Sequence, residues 1–244
     1  MRTISASALL SAWEHGLQCS PNRRAQCLID ELLPNQVSDS TGTQSLGERN
    51  AALLSLHRSL FGRELKGLAR CPMCEKQLEF ASETPDVTSW GGRTAFSQQR
   101  ELEVGNRRIR YRLLNWTDLE AISGMEEASS ARQALAARCV LKQSTLPGDG
   151  DSTVPEENVI VELSKRLEEE DPGASVEFLL ECPFCGHRWQ LDMDLPSFVM
   201  QEVDAIARRL LSEVHRLASA YGWSETDILS MSAARRRLYL EMVW

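Results

Sequence analysis

Four of the seven cysteines form a matched pair of knuckles, Cys71-Pro72-Met73-Cys74 and Cys182-Pro183-Phe184-Cys185-Gly186. A C-x-x-C turn offers two thiolates from one tight loop. Two such turns complete the tetrahedral S4 set that Zn2+ takes. Proline after each first cysteine presets the turn. Gly186 admits the positive φ expected where the chain doubles back under the ion. Sulfur at all four positions leaves no open coordination place, so the spacing predicts one structural zinc held by Cys71, Cys74, Cys182 and Cys185. His187 follows the second knuckle and offers a spare ligand, although four thiolates suffice. Knuckle disulfides, a redox C-x-x-C and metal-free thiols are the alternatives. A redox motif of the thioredoxin type needs a βαβ context, which neither knuckle has. Cys19, Cys27 and Cys139 fall on apolar helical faces, where a free thiol behaves as a small hydrophobe.

Little else in the chain points to catalysis. His15 neighbours Trp13 on a short helix, His57 lies between Leu53 and Phe61 on a core-facing stripe, and His215 is beside Val214 on a long helix. No G-x-S-x-G, P-loop or H-E-x-x-H occurs. The sequence therefore predicts a protein that is not an enzyme, with no small-molecule substrate. The acidic run Glu168–Asp171 ends a helix, where negative charge opposes the dipole. It reads as a solvated end, with a docking surface for a basic partner as the alternative.

The knuckles need elements to hold them. Strands are predicted over Gln77–Ala81, Arg107–Leu114, Ser175–Glu181 and Arg188–Met193, so each knuckle leads into a strand, the layout of a zinc ribbon. Ile109, Tyr111 and Leu113 alternate with Arg108, Arg110 and Arg112, the period of a half-buried strand with a charged outer face. That face is a solvated one or a stripe for phosphate or a partner. Helices are predicted over 5–17, 22–33 and 47–61, from a Thr117–Glu120 capping box, over Ser130–Lys142, and from a Thr153–Glu156 box to Glu170. Polar loops are expected at 34–45, 83–100 and 143–155.

From Ser197 the positions Val199, Val203, Ile206, Leu210, Val214, Leu217 and Tyr221 step by three or four, a coiled-coil-like seam on a helix of about 37 Å. Ser224–Asp227 caps a short helix through Ile228, and Ser232 caps a last one carrying Ala234, Leu238 and Met242. Arg235–Arg237 in that helix form a solvated face or one for an anionic partner.

The fold class that follows is α+β: a central four-cysteine zinc ribbon with a small antiparallel sheet, a helical insertion between the knuckles, and helical N- and C-terminal segments. The divisions are 1–70, a split ribbon domain 71–195 with its insertion at about 115–171, and 196–244. The 107 residues between Cys74 and Cys182 are far more than a ribbon usually spans. Closing that loop costs on the order of 4 kcal/mol, less than the roughly 10–16 kcal/mol a structural zinc contributes in peptides.

Composition sets the remaining bounds. The 244 residues suit one or two domains with a real core. No apolar run reaches 18 residues, so no membrane span is expected, and the first residues lack the apolar core of a secretion signal. The net charge of −8 is concentrated in 141–195, which carries 13 acidic and 4 basic residues. That argues against general nucleic-acid binding. Unpaired cysteine usage without a secretion signal predicts a reducing, cytoplasmic setting.

Several segments together resemble the baseplate protein family of contractile tails, which includes the T-even phage baseplate hub assembly protein and relatives in bacterial contractile injection systems. They are Leu46–Leu54 (LGERNAALL) with Leu60-Phe61-Gly62, both knuckles, Ala131-Arg132, Asp171-Pro172, Glu213–Leu217, Tyr221–Glu225 (YGWSE), Ile228-Leu229 and Arg235-Arg236. The resemblance covers most of the chain, and its C-terminal signature is the most distinctive. It implies a non-enzymatic assembly factor (a chaperone) or a minor structural component of a baseplate. Such a protein works in the cytoplasm of a bacterial or phage-infected cell, and its partners are baseplate or hub subunits. The partner surface expected from the C-terminal helices comprises Val214, Tyr221, Trp223, Ile228, Arg235 and Arg236. The alternatives are a zinc-ribbon nucleic-acid-binding regulator, which needs the Arg108/Arg110/Arg112 and Arg235–Arg237 faces to merge, and a metalloenzyme, which needs an open metal position.

Overall fold

A computed structural model describes residues 4–34, 44–84, 99–145 and 156–243. Helices α1 (Ala6–Gln18), α2 (Pro21–Leu32) and α3 (Leu46–Phe61) open the chain. Strands β1 (Glu64–Arg70) and β2 (Gln77–Glu83) follow. Next come β3 (Arg100–Val104), β4 (Arg107–Tyr111), α4 (Trp116–Ile122), α5 (Ala128–Cys139), β5 (Val140–Thr145) and α6 (Glu157–Glu170). A 3-10 turn at Pro172–Ala174 leads to β6 (Glu177–Glu181) and β7 (Arg188–Asp192). The chain ends in α7 (Leu195–Tyr221), α8 (Glu225–Ser230) and α9 (Ala233–Glu241).

The α+β class is as expected, but there is no single central sheet. The described strands form three separate antiparallel sheets: β1–β2, β3–β4–β5 and β6–β7. Two-stranded hairpins are marginal alone, so each leans on the helices. One hydrophobic cluster joins Leu9, Leu10, Leu28, Ile29, Leu53, Leu54 and Leu56 of α1–α3 to Leu65 and Leu78 of the first hairpin. It continues through Phe178 and Leu180 of the second hairpin to Val199, Val203, Ala207 and Leu210 of α7. This core draws on all three of the spans divided in the sequence at 70/71 and 195/196.

The inserted segment has its own smaller core, with Leu102, Tyr111, Ala136, Cys139, Ile160 and Leu163. It is not purely helical. The helix read through Lys142 stops at Cys139, and the chain turns into β5, which pairs with β4 through a register shift at Arg110/Tyr111. The β4 alternation is as predicted, with Ile109, Tyr111 and Leu113 all buried. Its outer arginines meet acids on β3: Arg108 donates to Glu103 at 2.8 Å and Arg110 to Glu101 at 2.9 Å.

Helix starts follow capping chemistry, with two shifts from the sequence reading. Ser45 and Glu48 form a full capping box on α3, as do Ser224 and Asp227 on α8. At α4 the box is Asn115–Asp118 rather than Thr117–Glu120; Thr117 instead donates its hydroxyl to Asn115 Oδ1 at 2.7 Å. Glu156 occupies the α6 cap position without a side-chain bond, and Thr153 lies outside the described residues, as do most of the three predicted loops.

The acidic run is not a solvated end throughout. Asp171 is buried and accepts from Gly47 N at 3.0 Å and Ser45 Oγ at 3.1 Å. Glu170 accepts from Tyr111 Oη at 2.9 Å and pairs with Arg100 at 2.6 Å. A Cβ on Gly47 would lie 2.0 Å from Asp171 Oδ1, so only glycine lets α3 start against this carboxylate. Here the insertion is fastened to the main core.

Within the insertion the deciding polar residue is Asp118, fully buried. It takes both Nη1 and Nη2 of Arg112, at 2.6 and 2.8 Å, and Nε of Arg138 at 2.8 Å. Burial alone would raise its pKa, but Arg112, the Asn115 N–H and Arg138 outweigh that and hold it below the usual carboxylate value. Its contribution is therefore present above about pH 4 and lost as pH falls through the depressed value. Asp118→Ala should cost about 3 kcal/mol at neutral pH, since removing it strands the largely buried Arg112 guanidinium. Denaturant melts of the two proteins should converge as the pH is lowered below that of ordinary carboxylates.

Candidate metal centre

Each knuckle is the turn of its own hairpin, and the two turns have the same construction. Cys71 N donates to Lys76 O at 3.0 Å, and Glu75 N to Cys71 O at 2.9 Å. In the second, Cys182 N donates to His187 O at 2.8 Å, and Gly186 N to Cys182 O at 2.9 Å. The residue after the second cysteine is left-handed in both, at φ 58° for Glu75 and 70° for Gly186. The sequence signalled this at Gly186. At Glu75 a residue with a side chain adopts the same left-handed conformation.

The hairpins bring the four sulfurs together. Cys71 Sγ lies 3.7 Å from Cys185 Sγ, and Cys74 Sγ lies 3.6 Å from Cys182 Sγ. All four lie within 4.8 Å of one another. A tetrahedral ion with metal–sulfur bonds of about 2.3 Å has sulfurs about 3.8 Å apart, whereas a disulfide needs about 2.05 Å. The cluster is thus spaced to hold a metal ion and is not a pair of disulfides. Cys71 and Cys182 are buried, Cys74 is half-buried and Cys185 exposed. Phe80 and Phe178, one from each hairpin, lie 5.9 Å apart beneath the cluster's strands.

The thiols influence one another electrostatically. Burial raises Cys182, but the N–H groups of Phe184 and Cys185 and the thiols of Cys185 and Cys74 bring it down to about 7. At Cys185 the His187 N–H acts downward, yet desolvation and proton sharing with Cys182, Cys74 and Cys71 push it up to about 12. Four close sulfurs cannot all ionise unless a cation sits among them. His187 is outside the cluster; its ring stacks on Trp189 at 6.1 Å.

The other predicted positions divide. Tyr221 stacks on Trp223 at 4.4 Å, and Tyr239 meets Trp223 edge-on at 4.8 Å. Arg235 lies 5.7 Å over the Tyr239 ring. These form one aromatic cap where α7, α8 and α9 meet, with Val214 half-buried nearby along α7. Ile228 and Arg236 do not face outward. Ile228 is fully buried, and Arg236 donates Nε to Glu213 at 2.9 Å and Nη1 to Met231 O at 2.7 Å. Both serve to hold α8 and α9 on α7, so neither is available to a partner.

Cys139 is a buried apolar thiol as expected, pushed up by burial to about 12. Cys19 and Cys27 differ from expectation: their sulfurs are bonded as a disulfide, with Cα atoms 7.4 Å apart. His15 joins them in the one other cluster of metal-ligating groups among the described residues. The four-residue spacing of His15 to Cys19, and of Cys27 to Glu31, was the available signal.

Fold and site together define an α+β protein with a split tetra-cysteine centre. Comparison of the chain with family models, with curated proteins and with solved structures gives no match.

Two outcomes test the centre. Cys74→Ser or Cys182→Ser should lower the bound metal by one equivalent per chain, by elemental analysis, and lower the melting temperature by more than about 10 °C. Glu75→Gly should keep the metal and raise stability by about 0.5–1 kcal/mol in denaturant melts, by relieving left-handed strain.

Proposed function

We propose that the protein is a non-enzymatic assembly factor or minor structural component of the baseplate of a contractile tail or injection system, stapled by one structural Zn2+. The observation that carries the reading is the C-terminal cap. The residues of the resemblance spread over 213–236 fold into one unit: Ser224 and Asp227 start α8, Ile228 buries it, and Arg236 pins α9 to Glu213. Tyr221 and Arg235 are exposed there and Trp223 and Tyr239 half-buried, with Leu238 and Met242 exposed in the same terminal segment. Aromatic residues with an arginine are the usual anchors of protein interfaces. A closed S4 set favours zinc in a structural role. The resemblance supplies the identity of the partner, a baseplate or hub subunit met in the cytoplasm.

The regulator alternative has less support. Arg108, Arg110 and Arg112 all face carboxylates, as does Arg236, which offsets part of the positive charge that reading needs. A metalloenzyme would need an open position on an ion already offered four thiolates.

Leu238→Asp with Met242→Asp is the cleanest test, because both side chains are more than half exposed, at 58% and 63%. Co-expression with baseplate subunits should lose co-purification and particle assembly, while melting temperature and zinc content stay unchanged. Assembly that proceeds normally with the double variant would remove the interface from this cap.

A further inference from the structure

We propose a second zinc site, independent of the first, at the α1–α2 hairpin: His15, Cys19 and Cys27 bind the ion when the two thiols are reduced. His15 lies in the last turn of α1, Cys19 is the extended residue that caps that helix, and Cys27 and Glu31 stand one turn apart on α2. Residues four apart share a helix face, so α2 turns Cys27 and Glu31 together toward Cys19 and His15. One donor atom from each of His15, Cys19 and Cys27 lies within 4.8 Å of the other two. Glu31 completes the surroundings. Its Oε2 lies 3.3 Å from His15 Nδ1, and its Oε1 accepts from Ser11 Oγ at 2.7 Å. A carboxylate held in this way orients a metal-bound imidazole.

The two sulfurs can also form a disulfide, as they do here. Their Cα separation of 7.4 Å lies beyond the roughly 4.4–6.8 Å that disulfides usually span. Two thiolates sharing an ion stand further apart than two bonded sulfurs. In a reducing compartment the disulfide is not the resting form. Two thiols of the glutathione class reduce it to two cysteine thiols and are themselves oxidised to their disulfide. Zn2+ then binds the two sulfurs and displaces their protons to solvent. Two thiolates and an imidazole suit zinc. Cys27 is buried while His15 is exposed, so the ion has a wall on one side and an entry path on the other.

The test uses the full chain, reduced with a phosphine, exposed to a small excess of Zn2+ and freed of unbound metal. Elemental analysis should give two zinc per wild-type chain and one in each of His15→Ala, Cys19→Ser and Cys27→Ser. Substitution by Co2+ separates the sites without relying on stability. Sulfur-to-cobalt absorption should fall by about one-third in Cys19→Ser/Cys27→Ser, as six thiolate ligands become four. One zinc in the wild type, unchanged in all three variants, would overturn the proposal. So would two zinc that persist in them, or a Cys19–Cys27 disulfide that survives the reductant by intact mass. Loss of the tetra-cysteine ion alone would instead appear in Cys74→Ser and leave this site filled.

Discussion

Two small hairpins, at 64–83 and 177–192, present their turns to each other so that four sulfurs lie at tetrahedral spacing. Neither hairpin has enough strands to stand alone, and 107 residues separate the cysteines that meet. An ion shared by the four sulfurs would convert two marginal turns into one rigid corner. The helices of both ends then pack against that corner through a single core.

The long insertion becomes tolerable for a related reason. It folds as a unit with its own buried cluster and meets the main core at a polar junction around Asp171 and again where α4 faces α2, with Ser20 Oγ donating to Glu120 at 2.8 Å. Asp171 receives the start of α3 through Gly47 and Ser45, and Asn50 donates to Gly173 O at 2.8 Å. An ordered insertion with both ends held has far less loop entropy to lose than a free chain of that length.

The two halves of α7 have different duties. From Leu195 to Leu210 its stripe fills the core against α1, α2 and α3; beyond that, Leu217 packs under α8 and α9. The seam read from spacing is real as an apolar face, but most of it is consumed within the chain. What stays outside is the aromatic cap with Leu238 and Met242. The surface proposed for a partner lies at the far end of the helix, while Leu68, Met73, Leu179 and Phe184 are exposed on the two cysteine hairpins.

Much of this was legible in the residues themselves. The C-x-x-C spacing marked out the four-cysteine group, alternation in 107–113 the buried face of β4, and the Ser-x-x-Asp pattern at 224 the start of α8. These are local signals, set by backbone geometry within a few residues. Tertiary structure decided the rest. Strand β5 was hidden behind a helical run because its pairing with β4 outweighed local propensity. The inward turn of Asp171, Ile228 and Arg236 depended on partners 23 to 126 positions away. The meeting of His15 with Cys27 depended on how two helices cross, since spacing along one helix says which residues share a face but not what that face will find opposite.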